Sequence, residues 1–164
     1  MGKQDLFITM ALASWESNIK RTNAVFDSFT DEELQQPVAP GKNRIIYLLG
    51  HLAAEHDMLL PLLGLGEQQY AYLNGPFISS PDGTVKDLPS AKELRAAWTT
   101  ANETLRKHFN ALSTEEWFMK HTRVSEEDFA KEPHRNRLNV LLSRTNHVSY
   151  HLGQLILVKP GSKD

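Results

Sequence analysis

The chain has 164 residues, with 18 Lys and Arg against 20 Asp and Glu, 40% hydrophobic and 23% charged, close to the average for a globular domain. That length supports one core without disulfides, and a single domain over residues 1–164 is the expectation. The absence of cysteine removes thiol catalysis, Cys-ligated zinc and iron–sulfur sites, and a net charge of -2 gives no footprint for nucleic acid.

No membrane span is expected, because the longest apolar stretches, Ile45–Leu49 and Met58–Leu65, fall far short of the roughly 20 residues needed. The start, Met1-Gly2-Lys3-Gln4-Asp5, lacks an apolar run followed by a small-residue cleavage site, so a cytoplasmic location is the default expectation.

Four segments carry helical periodicity and none alternates convincingly with period two, which predicts an all-α fold. The first helix spans about Asp5 to Phe29, with Ile8, Leu12, Trp15, Ile19, Phe26 and Phe29 on one stripe. A second spans Arg44 to Leu60 with Ile45, Leu48, Leu49, Leu52, Leu59 and Leu62, where Pro61 kinks or ends it. A third opens on Ser90-x-x-Glu93, a capping box, and aligns Leu94, Trp98, Ala101, Leu105 and Leu112. The fourth spans Arg137 to Val158 with Leu138, Leu141, Leu142, Val148, Leu152, Leu155 and Ile156, closed by Pro160-Gly161.

A weak internal repeat divides the chain. Thr30-Asp31-Glu32-Glu33-Leu34 after the first helix parallels Ser113-Thr114-Glu115-Glu116-Trp117 after the third, each predicting a short capped helix. Loops fall at Pro37–Asn43, Gly64–Pro89 and His121–Asn136. Gly64–Pro89, about 85 Å if extended, can return along a helix of about 30 Å, so helices two and three can run parallel across a crossover. A loop with no role is the competing reading.

Chemistry must come from seven histidines. His121 and His134 lie in a polar loop and read as solvated. His56 sits five residues after His51, about 140° around the helix, and cannot easily share an ion with it. His108 continues the apolar stripe of the third helix and reads as a core histidine. His147 and His151 differ, since residues four apart share a helical face and can reach a single divalent ion. Spacing alone is weak evidence, but two imidazoles beside a core stripe need satisfying, by a metal or by buried hydrogen bonds. His51, between Leu48 and Leu52, offers a third ligand from a facing helix.

Gly50-His51-Leu52-Ala53-Ala54 and Asn146-His147-Val148-Ser149-Tyr150-His151-Leu152-Gly153-Gln154 resemble the DinB/YfiT-like metalloenzyme family, whose layout agrees over residues 5–158. The resemblance implies an up-down-down-up four-helix bundle and a divalent-metal site mapping onto His51, His147 and His151. It departs at Leu152, where many relatives carry Arg, which puts in doubt any ligand contact that Arg would make. Zinc, nickel, iron and manganese all suit imidazole. Glu55, on the face of His51, is a candidate general base or partner to a ligand, against the reading of a surface Glu paired within its helix. Gln154 is a candidate to hold a ligand or a water, or to cap a polar patch at the bundle mouth.

Some relatives transfer small thiols such as bacillithiol, mycothiol or glutathione. The resemblance therefore implies a small-molecule substrate and a thiol S-transferase of stress or detoxification metabolism, its thiol a low-molecular-weight cosubstrate. A metal-dependent hydrolase and a non-catalytic metal or small-ligand binding module are the alternatives, and a homodimer is left open.

Overall fold

The computed structural model describes residues 2–158; Pro160-Gly161, expected to close the last helix, lies outside them. Among the described residues there are seven α-helices and no strand, only two isolated β-bridges. The long ones are α1 (Lys3–Asp27), α2 (Ile45–Asp57), α4 (Ala91–Ala111) and α7 (Arg137–Ile156), with α3 (Leu59–Leu63), α5 (Thr114–Trp117) and α6 (Glu126–Lys131) between. No described helix is long and apolar enough to cross a membrane.

The expected stripes meet in one core. Trp15, Ile19 and Phe26 of α1, Leu49 and Leu52 of α2, Leu94 and Leu105 of α4, and Leu141 and Val148 of α7 are almost fully buried. Ile156 departs from its stripe and is 49% exposed at the end of α7. Helix α1 packs on α7, and α2 packs on α4. Between α1 and α4, Glu16 pairs with Arg106 at 2.6 Å and Asn23 accepts from Trp98 Nε1 at 2.7 Å. Arg95 donates to the carbonyls of Phe26 and Phe29. As one number rises the other falls, so these helices are antiparallel, and Arg95 binds carbonyls at and just past the end of α1.

The second expected helix is two. Helix α2 stops at Asp57 and a new helix starts at Leu59, which places Pro61 near its beginning, where a missing N–H costs nothing. Gly64 ends α3 with φ 67°, the left-handed conformation glycine adopts without strain, and Leu65 N donates to Leu60 O at 2.8 Å.

Both capping boxes of the repeat form. Thr30 exchanges hydrogen bonds with Glu33, and Ser113 with Glu116. After Thr30 the turn is a short 3-10 helix, Glu33–Gln35. Leu34 and Trp117, at corresponding positions, are buried. Each half then makes one bridge, Pro37 with Arg44 and Lys120 with Asn136, immediately before its next long helix. Helix α6 was not anticipated in the His121–Asn136 loop: it buries no residue and so has no apolar stripe, although Ser125 caps it by accepting from Asp128 N.

The 64–89 segment is a strap laid along α2 in reverse. Asp57 accepts from the amides of Gln69 and Tyr70, Phe77 packs on Gly50, Tyr47 donates to Ser80 O, and Arg44 pairs with Asp82. The strap therefore delivers the chain from the C-terminal end of α2 back to its N-terminal end. Helix α4 follows and packs on α2, with His56 level with Asn102.

Candidate metal centre

The three histidines expected to act together do meet. His51 lies on α2, and His147 and His151 lie one turn apart on α7. His147 Nε2 is 3.2 Å from His51 Nε2 and 3.2 Å from His151 Nε2, and one nitrogen from each ring lies within 4.8 Å of the others. Two nitrogens about 2.0 Å from one ion at a tetrahedral angle stand about 3.3 Å apart, so the spacing fits a single ion.

Two of the rings are fixed in the tautomer that ligation requires. A carbonyl only accepts, so His51 donates from Nδ1 to Phe77 O at 2.9 Å, leaving its Nε2 lone pair free. His151 donates from Nδ1 to Gln154 Oε1 at 2.8 Å with the same result. Such partners set ring orientation and raise ligand basicity. Gly50 makes the first contact feasible: a Cβ there would stand 2.4 Å from Phe77 Cε1, and only a glycine lets the strap approach so closely. Tyr47 lies parallel to the His51 ring, with centroids 6.3 Å apart.

His147 is flanked by charge. Arg144, one turn earlier on α7, places Nη1 3.3 Å from His147 Nδ1 and makes an ion pair with Glu55 of α2. Burial, then the Arg144 guanidinium and the neighbouring imidazoles, push the His147 pKa down to about 3. Burial also lowers that of His151. Both rings are therefore neutral at pH 7.

Glu55 pairs across helices with a half-buried arginine rather than within its own helix at the surface. The other histidines lie elsewhere. His56 is fully buried, with Nδ1 on Asn102 Oδ1 at 2.8 Å, and burial first, then Arg144, lowers its pKa to about 3. His108 is half-buried and outside the cluster, His121 Nδ1 accepts from Arg123 N, and His134 is exposed. Leu152 is buried.

Sequence reasoning missed Arg144 and Phe77. Arg144 could have been found three residues before His147, on the ligand face. Phe77 acts through its backbone carbonyl and leaves no sequence signal beyond Gly50 in a helix interior.

A cleft of about 220 Å³ opens beside the cluster. One wall carries Tyr150, His151 and Gln154 of α7, and the other is the 36–45 hairpin with Val38, Lys42 and Asn43.

Convergent imidazoles on two helices, one buried and two half-buried, make this a helical protein with a cluster that could hold a metal ion, and the sequence places it further. Residues 14–155 match the DinB superfamily, and the chain belongs to it. No curated protein sequence matches the chain.

Proposed function

We propose that this protein is a divalent-metal-dependent enzyme, most concretely a transferase that joins a small thiol to an electrophile. It would be built as one up-down-down-up four-helix domain. The observation that carries the reading is the convergence of three imidazoles beside a cleft that His151 lines, with no carboxylate or fourth histidine in the group. Three protein ligands leave a position for a reactant, as in catalytic rather than structural zinc sites. The running senses of the helices support the topology.

An ion held by His51, His147 and His151 would lower the pKa of a thiol or a water and polarise a carbonyl. Zinc, nickel, iron and manganese all suit this donor set. The chain has no cysteine, so the thiol comes from a cosubstrate.

Its own residues hold the donor set in place. Phe77 O keeps the His51 proton on Nδ1, and Gln154 does the same for His151. Gln154 thus orients a ligand. Arg144, a donor only, faces His147 Nδ1, so for His147 to present Nε2 its proton would move to Nδ1 and Arg144 would turn from that ring toward Glu55, with which it already pairs. Glu55 thus acts as a positioning residue through this network, and its ion pair with Arg144 disfavours a role as general base.

The test is conjugation of a small thiol to a reactive electrophile by metal-loaded protein. The rate should vanish in His151→Ala and after metal removal while the helical spectrum is kept. Metal uptake with no thiol-dependent turnover would overturn the transferase reading in favour of a binding module. Thiol-independent hydrolysis of activated esters would overturn it in favour of a hydrolase.

A further inference from the structure

The cleft beside His151 has a composition of its own. Its apolar surface comes from Val38 and Leu48, and its amides from Asn43 and Gln154. Among the described residues Lys42 is the one Lys or Arg that lines it, and no acidic residue does. This is a local excess of positive charge on a chain whose net charge is -2.

The hairpin holds the Lys42 backbone in a defined place. Ala39-Pro40-Gly41-Lys42 closes a turn in which Lys42 N donates to Ala39 O at 3.0 Å and Gly41 has φ 71°. Proline second and a positive-φ glycine third are what a type II turn requires. Below the turn Val38 N donates to Asn43 O at 3.0 Å. Arg44 then anchors the base of the hairpin, binding Asp82 through backbone N, Nε and Nη2. Arg44 is thereby neutralised, whereas no carboxylate of the described residues lies within 4 Å of the Lys42 ammonium.

We infer that the cleft takes a small ligand bearing a carboxylate, with the carboxylate at Lys42 and the reacting end toward His51, His147 and His151. A volume of about 220 Å³ is below the roughly 300–1,000 Å³ of sites for drug-sized molecules, so the ligand is of small-metabolite size. Neutral imidazoles leave a divalent ion its full charge, so the cleft is positive at both ends and favours a ligand anionic at both. The inference rests on the metal reading above and adds to it the chemical class of the ligand.

The experiment uses Co(II)-loaded protein and two thiols of equal length, 3-mercaptopropionate and 3-mercapto-1-propanol, titrated against the cobalt absorption spectrum. Wild type is compared with Lys42→Gln, Lys42→Glu and, as a control, Lys131→Gln on the outer helix α6. The preference for the carboxylate should fall about threefold at low salt in Lys42→Gln, the size an exposed ion pair supports. It should fall further in Lys42→Glu, shrink in wild type as salt rises, and stay unchanged in Lys131→Gln. Comparing variants cancels the intrinsic difference between the thiols. Cobalt uptake with a preference indifferent to Lys42 overturns this inference and leaves the metal reading standing. Failure of wild type to take up cobalt overturns both.

Discussion

Gly50→Ala puts the link between the strap and the histidine cluster under direct strain. The new Cβ would stand 2.4 to 2.6 Å from three carbons of the Phe77 ring, which is itself fully buried. Ordinary carbon contacts lie at about 3.5–4.0 Å, so the ring must retreat by about 1 Å. Overpacking of this kind costs about 1–3 kcal/mol, while alanine in a helix interior returns about 1 kcal/mol relative to glycine. The net loss of stability should be about 0–2 kcal/mol. The effect on metal should be larger in proportion, because Phe77 cannot retreat without drawing its carbonyl from His51 Nδ1, now at 2.9 Å. Loss of such a partner typically costs 10–100-fold in metal affinity. Competition with a chromophoric chelator at pH 7 measures that affinity, and denaturant unfolding measures stability. Gly153→Ala is the control: among the described residues nothing lies within 4 Å of its Cβ, so it should gain about 0.5–1 kcal/mol and leave metal affinity alone. Wild-type metal affinity in Gly50→Ala would refute the argument that the strap positions His51.

Three further outcomes are expected. His147→Ala should lose most metal uptake by elemental analysis while His121→Ala keeps it, and equal loss in both would sink the ligand assignment. His56 has a folded pKa of about 3 against an ordinary 6.5, so the unfolded chain binds more protons between those values. Its contribution is therefore complete above pH 6.5 and is lost as pH falls toward 3, at up to about 1.4 kcal/mol per pH unit. His56→Gln should flatten stability against pH by about that slope between pH 6 and 4, whatever its effect at pH 7, and an unchanged slope would show that His56 is not held neutral. Asp82→Ala leaves Arg44 unpaired and should cost about 1–2 kcal/mol. It should also speed hydrogen exchange at the strap amides of Gln69 and Tyr70, since a strap released at one end should open along its length. Unaltered exchange there would mean that each anchor holds independently.

Periodicity placed the four long helices because burial of an amphipathic stripe is written directly in spacing, and Trp15, Leu52, Leu105 and Val148 are buried as their stripes require. The capping boxes at Thr30 and Ser113 were legible for the same local reason: the partners are three residues apart. His147 and His151 could be paired from the sequence because one helical turn fixes their common face.

What joins His51 to them is tertiary, a separation of 96 residues closed by the packing of α2 against α7. The break at Met58 is a local competition that the apolar pattern on both sides concealed, and α6 escaped because an exposed helix leaves no stripe. The strap was readable only as a long loop, because its anchors are backbone carbonyls and amides paired with side chains 12 to 38 residues away. Backbone groups are the same at every position, so a sequence cannot say which carbonyl will meet which imidazole. That choice, and with it the tautomer of His51, belongs to the folded chain.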